Sequence, residues 1–174
     1  MSKKIPMIYK IEAIDILLDE DAILSRYYSL IPFKKVLIEK LRKNKVNTNY
    51  ECLNSNNALL ECLGKEELVN LFKRFLVMYE IEESKLNVIN SLNIIEEEKE
   101  SYRELFLLPG VKETRANLYY LSGFKTLVDI SNSNVEEITI KMKETIDKYN
   151  LDCKVALPKE IKTHIAVAKV YSLY

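Results

Sequence analysis

The fold is decided by the stretch Leu108-Pro109-Gly110-Val111, followed by a helical run from Lys112 to Ser122 and by Gly123-Phe124-Lys125-Thr126-Leu127. Pro109 fixes its own φ and disfavours the α-helical region for the residue before it, so the preceding helix should end there. Gly110 can adopt backbone angles that are closed to other residues, which suits a tight turn. Gly123 lies where a left-handed helix C-cap is expected. The stretch therefore predicts two helices joined at a Pro-Gly corner.

This order of residues resembles a helix-hairpin-helix motif, and such hairpins usually bind the backbone of nucleic acid without reading its bases. The second helix of the hairpin begins with unpaired backbone N–H groups, and its dipole favours a nearby anion. If the hairpin binds nucleic acid, we expect a phosphate to meet Gly110, Val111, Lys112 and Arg115. The alternative is that the Pro-Gly turn only joins two packed helices. Lys112 favours this alternative, because DNA-binding hairpins usually carry a second glycine at that position.

Composition limits the classes of protein that fit this chain. Its 174 residues leave room for one domain or two small ones. Hydrophobic residues make up 48% and charged residues 30%, which is ordinary for a folded soluble protein. With 3 Gly and 4 Pro there is little turn material for a β-rich fold. The net charge is zero, whereas a dedicated nucleic-acid binder usually has a basic excess, so any phosphate-binding surface must be local.

One local excess of positive charge lies between Ile31 and Thr48, where a single glutamate accompanies the basic residues Lys34, Lys35, Lys40, Arg42, Lys43 and Lys45. This basic run could meet phosphates, and Lys34, Lys35 and Arg42 are the members that we expect to do so. The alternative is a solvated helix face. The acidic run from Val77 to Glu104 is interpreted as a solvated helix rather than a metal site, because no histidine accompanies its carboxylates.

Signatures of catalysis and metal binding are weak. Cys52, Cys62 and Cys153 are an odd number with no close pair, so they form neither a zinc ligand set nor a disulfide framework. His164 is the only histidine, which excludes a His-based metal cluster within one chain and favours a structural role on a helix. No serine lies in a nucleophile elbow. We expect a protein that is not an enzyme and that uses no cofactor or metal.

The expected location follows from the cysteines and from hydropathy. Free thiols suggest a reducing compartment. The first residues, Met1 to Pro6, are not followed by the long apolar run of a secretory signal, and no stretch approaches the length of a transmembrane helix. We therefore expect a cytoplasmic protein without a membrane partner.

Apolar residues recur at helical intervals along the chain, which predicts an all-α fold. Two of the predicted helices are Met7 to Leu18 and Phe33 to Lys45, the second with Val36 turned inward. There is also a weak internal similarity: with a one-residue gap, Ile31-Pro32, Leu41 and Val46-Asn47-Thr48 parallel Leu108-Pro109, Leu118 and Phe124-Lys125-Thr126. Duplication followed by erosion explains this similarity, and so does chance.

The chain resembles an uncharacterised bacterial family, a domain of unknown function that consists of two tandem helix-hairpin-helix-like repeats. The resemblance is clearest from Glu104 to Tyr171 and rests on Glu104-Leu-Phe-Leu-Leu-Pro-Gly-Val111, Ala116, Leu118, Ser122-Gly-Phe-Lys-Thr-Leu127, Ile130, Leu157-Pro-Lys-Glu-Ile161, Ala166 and Ala168. It implies an all-α fold with N-terminal helices and a degenerate first repeat in residues 1–93, and a second repeat in residues 94–174. The first copy carries Phe33 in place of the turn glycine. The family implies no catalytic residue.

Two binding functions remain open at this point, ahead of a third hypothesis, a small-molecule-binding or catalytic helical domain. The prediction that we place slightly ahead is a non-enzymatic helical binding or scaffold module that mediates protein interaction. The other is weak, sequence-independent binding of the nucleic-acid backbone through the hairpin and the basic run. The sequence gives neither the identity of the partner nor the oligomeric state.

Overall fold

A computed structural model describes residues 3–173, and Met1, Ser2 and Tyr174, which belong to the predicted ranges above, lie outside it. Helices dominate the described chain, and the predicted all-α class is confirmed. The chain divides into two compact units, residues 6–80 and residues 81–173, the latter with the N-terminal residues 3–5. The division therefore falls at Ile81 rather than at 94, and residues 81–93 belong with the second unit.

The unit of residues 6–80 contains five α-helices and one 3₁₀ helix. In chain order they are α1 (Ala13–Leu17), the 3₁₀ helix (Ser25–Phe33), α2 (Lys34–Lys43), α3 (Asn49–Leu53), α4 (Asn56–Leu63) and α5 (Glu66–Leu76). The amphipathic helix α5 supplies two large aromatic side chains of the core, Phe72 and Phe75, which are fully buried and stack with their ring centroids 5.9 Å apart. Helix α5 packs on α3, α4 and the 3₁₀ helix.

The second unit combines six helices with a very small sheet. Strands β1 (Lys4–Ile5) and β2 (Ile81–Glu82) pair antiparallel, and they are followed by α6 (Glu83–Asn90), α7 (Glu96–Leu105), α8 (Glu113–Leu121), α9 (Leu127–Ser131), α10 (Val135–Tyr149) and α11 (Pro158–Leu173). Helix α11 forms the centre of this unit, because it contacts both α9 and α10 and buries His164 and Val167. Two-residue strands are too short to produce a periodic signal, which is why the sequence pattern did not indicate the sheet.

The predicted Pro-Gly corner is present between α7 and α8. Helix α7 ends at Leu105, a turn follows, and α8 begins at Glu113 and packs against α7. Gly110 has a φ of +74°, in the left-handed region that favours glycine. The Val111 N–H donates to the Leu108 carbonyl over 3.2 Å, and both side chains are buried. This backbone hydrogen bond and the two apolar side chains that face the core help to hold the corner.

Helices α2 and α8 end in the same way, at corresponding places in the two units. The Val46 N–H donates to the Leu41 carbonyl over 3.0 Å, and the Phe124 N–H donates to the Tyr119 carbonyl over 2.9 Å. The residue before each donor has a positive φ: 58° at Lys45 and 94° at Gly123. This pattern is a Schellman motif, which satisfies the last carbonyls of a helix. Gly123 therefore has the C-cap role that its position predicts.

Each of these endings leads into a short helix with a threonine cap. Thr48 caps α3 by accepting a hydrogen bond from the Glu51 N–H, and Thr126 caps α9 by accepting one from the Asp129 N–H. The packing that follows is also the same: α2 contacts α4, α3 contacts α5 and α4 contacts α5, while α8 contacts α10, α9 contacts α11 and α10 contacts α11. The internal similarity read from the sequence therefore has a counterpart in four consecutive helices of each unit.

Candidate functional site

The corner exposes Gly110 and Lys112 to solvent. A Cβ added at Gly110 would meet nothing within 4 Å, so the backbone is accessible there. Lys112 is the N-cap residue of α8, and no side chain caps that helix. The N–H groups of Glu113, Thr114 and Arg115 consequently have no acceptor among the described residues. This part of the predicted phosphate site has the geometry that the sequence indicated.

Val111 contributes to the fold rather than to an exposed surface. Its side chain is fully buried, and its N–H is the donor in the corner's own hydrogen bond to Leu108. A buried amide that already has a partner gains nothing from a ligand and would have to break the corner to bind one. Among the corner residues, Val111 is therefore not positioned to meet a phosphate.

Arg115 is occupied by two intramolecular partners. Its Nε donates to Glu160 Oε1 over 2.9 Å and its Nη2 to Glu160 Oε2 over 3.4 Å, so the pair is bidentate. Its Nη1 donates to the Lys154 carbonyl over 2.9 Å. The guanidinium thus ties α8 to the first turn of α11 and to the segment before it, and its charge is neutralised by Glu160. Contact with a phosphate would require these bonds to be exchanged.

Most of the basic residues on α2 that were predicted to contact phosphate also form ion pairs. Lys34 Nζ lies 3.1 Å from Asp15 Oδ1, and Arg42 Nε lies 3.1 Å from Glu12 Oε1. Lys35, in contrast, is exposed and has no ion pair within residues 3–173. These three side chains belong to the unit of residues 6–80, whereas the corner belongs to the other unit. Two of the three cations expected to bind phosphate therefore already have acidic partners.

The buried side chain of His164 anchors the corner. The His164 Nε2 lies 2.9 Å from the Pro109 carbonyl oxygen, and Nδ1 lies 2.8 Å from the Tyr119 hydroxyl. Both side chains are almost completely buried, His164 at 1% exposure and Tyr119 at 0%. Because a carbonyl can only accept, Nε2 must carry the proton, and Nδ1 of the neutral ring then accepts from Tyr119. The network fixes one tautomer and joins α8, α11 and the corner.

Burial controls the ionisation of this network. Desolvation lowers the pKa of His164, while the Pro109 carbonyl and the Glu160 carboxylate act in the opposite direction and Arg115 adds to the lowering. Desolvation also raises the pKa of Tyr119 far above its ordinary value. Both groups are therefore neutral near pH 7, and every polar atom of the pair has a hydrogen-bond partner. This arrangement confirms the structural role that the sequence indicated for His164.

A cleft of about 380 Å³ lies beside the start of α8. Its walls come from three separated parts of the chain: the loop between α6 and α7, the facing helices α7 and α8, and the segment between α10 and α11. Leu92, Ile94 and Leu151 supply half-buried apolar surface. A concave site with apolar walls and a few polar groups is the general form of a binding pocket.

The polar lining of the cleft is acidic. Glu113 and Asp152 both line it, both are exposed, and neither has an ion pair within the described part of the chain. No Lys, Arg or His is among the described residues that line the cleft. Thr114 and Cys153 complete the polar lining, and the Cys153 thiol is free. The cleft therefore presents net negative charge next to apolar surface.

Tyr102 and Asn117 form the rigid part of this lining. The Tyr102 hydroxyl donates to Asn117 Oδ1 over 2.8 Å, and the Tyr102 ring stacks on Tyr120 with centroids 5.3 Å apart. Desolvation, followed by repulsion from neighbouring groups that include Glu113, raises the pKa of Tyr102, so its hydroxyl remains a donor. With Oδ1 occupied in this way, the two N–H groups of Asn117 Nδ2 have no acceptor in residues 3–173.

This cleft could not be predicted from the sequence pattern. Its residues lie near positions 92, 102–117 and 151–153, and only folding brings them together. None of them, read alone, differs from ordinary helix or loop residues. The residues predicted as a phosphate site are instead distributed between an accessible corner (Gly110, Lys112), a buried turn (Val111) and a paired cation (Arg115).

No protein-family model, curated protein or solved structure matches this chain. None of the described helices has the length and apolar character needed to cross a bilayer. Within residues 3–173, no group of three or more His, Cys, Asp and Glu side chains is arranged to hold a metal ion. The geometry of the cleft and the corner is therefore the basis for assigning a function.

Proposed function

We propose that this protein is a non-enzymatic helical binding module and that it binds another protein at the cleft between α7, α8 and the segment before α11. The observation that carries the proposal is the combination of apolar walls with polar groups that have no internal partner, Glu113, Asp152 and Asn117 Nδ2. Exposed apolar surface beside unpartnered polar groups is characteristic of surfaces that bind a partner.

The pairing of the basic residues supports protein binding over nucleic-acid binding. Affinity for nucleic acid depends on cations that are free to displace counterions from phosphates. Lys34, Arg42 and Arg115 are engaged with Asp15, Glu12 and Glu160, and the chain has no net positive charge to attract a polyanion. A protein partner can bind without such free cations.

Capture from native extract tests this proposal. Thr114→Arg places a long cation in the cleft, and because Thr114 is exposed on α8 and arginine is a good helix former, the fold should persist. We expect the wild-type chain to retain a partner that Thr114→Arg loses. Val128→Arg, at an exposed position of α9 outside the cleft, is the matched control and should retain it. Equal recovery by all three chains would contradict the proposal.

A second candidate, binding of the nucleic-acid backbone at the corner, has one observation in its favour. The uncapped N-terminus of α8 offers unpaired N–H groups next to the exposed Lys112 and the accessible backbone of Gly110. If this function applies, affinity for single- or double-stranded probes should fall steeply with rising salt, and Lys112→Glu should abolish it. Flat titrations at low salt with both probes would exclude it.

A further inference from the structure

We propose that the occupant of the cleft is a lysine or arginine side chain of the partner protein, flanked by apolar residues of the same segment. This inference rests on the proposed function and specifies its ligand. It follows from three properties of the cleft: its charge, its apolar walls and its free side-chain amide donor.

Charge complementarity decides the sign of the ligand's charge. The cleft brings the carboxylates of Glu113 and Asp152 to one concave surface, and no cation of the described chain lines it or pairs with either carboxylate. Arg115, on the same helix as Glu113, is neutralised by Glu160. An anionic ligand would face two carboxylates with no cation in the lining, so only neutral N–H groups, those of α8 and of Asn117 Nδ2, would be left to hold it. A cationic ligand pairs with both carboxylates.

The apolar walls decide the shape of the ligand. Leu92, Ile94 and Leu151 are each half-buried, and Tyr102, whose ring stacks on Tyr120, also lines the cleft. A compact cation such as ammonium would leave these walls hydrated. Lysine and arginine carry their charge on a long apolar stem, which packs along such walls while the head group reaches the carboxylates. Apolar residues on either side of the cation would cover the remainder of the walls.

The free amide of Asn117 favours a peptide over a small amine. Asn117 Oδ1 is fixed by the Tyr102 hydroxyl, so Nδ2 is available as a donor in the cleft. A backbone carbonyl of an extended segment can accept from Nδ2, whereas a small amine brings only donors. A partner segment with a basic side chain therefore satisfies the carboxylates, the apolar walls and the amide at the same time.

Amide NMR titration of the complete chain with short peptides tests this inference. The probe is acetyl-Ala-Leu-Lys-Leu-Ala-amide, and two matched peptides replace its lysine by norleucine, which keeps the stem without the charge, or by glutamate. We expect the lysine peptide to shift the signals of Leu92, Glu113, Asn117 and Cys153. The norleucine peptide should bind roughly ten-fold more weakly, and the glutamate peptide should not bind.

Matched variants locate the charge effect in the cleft. Glu113→Gln with Asp152→Asn should weaken the lysine peptide roughly ten-fold. The control pair is Glu66→Gln with Asp147→Asn: Glu66 begins α5 after a lysine N-cap just as Glu113 begins α8, and Asp147 is exposed on α10. This control should leave the affinity unchanged.

Four results would overturn the inference. The first three are equal binding of the lysine and norleucine peptides, shifts located outside the cleft, and no binding of any peptide. The fourth is shifts that appear when the chain alone is concentrated, which would assign the cleft to a second copy. These failures are distinct from failure of the proposed function, because loss of partner capture in Thr114→Arg does not depend on the charge of the ligand.

Discussion

Replacing Tyr119 by phenylalanine tests the buried network beneath the corner. The ring and its packing remain, and only the hydroxyl that donates to His164 Nδ1 over 2.8 Å is removed. His164 cannot compensate by changing tautomer, because an unprotonated Nε2 would then face the lone pairs of the Pro109 carbonyl at 2.9 Å. A ring nitrogen that is 1% exposed is therefore left without a donor.

The expected cost follows from this geometry. A buried polar atom without a partner lowers the free energy of unfolding by about 1–3 kcal/mol. For a chain of this size, a loss of about 2 kcal/mol lowers the Tm by roughly 4–8 °C. Thermal unfolding followed by far-UV circular dichroism measures this shift. Tyr149→Phe is the matched control, because Tyr149 is 48% exposed and its hydroxyl can bond to water. If both variants unfold at the same temperature, the network does not stabilise the corner.

The remaining predictions concern the same corner. Burial lowers the pKa of His164 in the folded chain, so the unfolded state takes up the extra proton at a higher pH than the folded state does. The stability that neutral His164 contributes should therefore be fully present above about pH 6.5 and should be lost as the pH falls below it. A denaturation midpoint that does not change between pH 7 and about pH 5.5 would contradict this. Arg115→Met keeps the apolar stem but leaves Glu160 and a carbonyl unpaired, so urea denaturation should show a loss of about 2 kcal/mol, and a loss no larger than that of an exposed arginine would refute the pairing. Gly110→Ala forces a positive φ on a residue with a Cβ and should cost about 1 kcal/mol by the same assay, without a steric clash; an unchanged midpoint would mean that the corner tolerates other backbone angles.

Local chemistry made the corner and the helix ends predictable. Proline and glycine act through residues that are close in sequence, and the structure has the predicted turn at Gly110 and the predicted C-cap at Gly123. The structural role of His164 was also predictable, because one histidine on an apolar helix has few chemical alternatives.

Tertiary contacts account for the predictions that fail. The helix predicted from Met7 to Leu18 is wrong over most of its length, since only Ala13–Leu17 is α-helical. The backbone near Tyr9 instead pairs with residues far along the chain: the Tyr9 N–H donates to Asn49 Oδ1, and the Ile11 N–H donates to the Asn47 carbonyl. These bonds replace those of a helix, and periodicity does not reveal them.

The exposure of Val36 and the ion pair of Arg115 could not be predicted from the sequence either. Val36, which the helical pattern turned inward, is 51% exposed because the core face of α2 is formed by Leu37, Ile38 and Leu41. Arg115 pairs with Glu160, which is 45 residues away in the sequence, so the sequence alone predicts a free cation where the fold has an ion pair. The cleft requires three separated segments and has no local signature at all.

Site-specific photo-crosslinking in living cells tests most directly whether the cleft binds a protein. A benzophenone amino acid would replace Thr114 in the cleft or, as the control, Val128 on the exposed face of α9. We predict that the chain with the probe at 114 forms an adduct that protease removes and nuclease does not, and that the chain with the probe at 128 forms none. Adducts of equal yield at both positions, or adducts sensitive only to nuclease, would contradict the assignment.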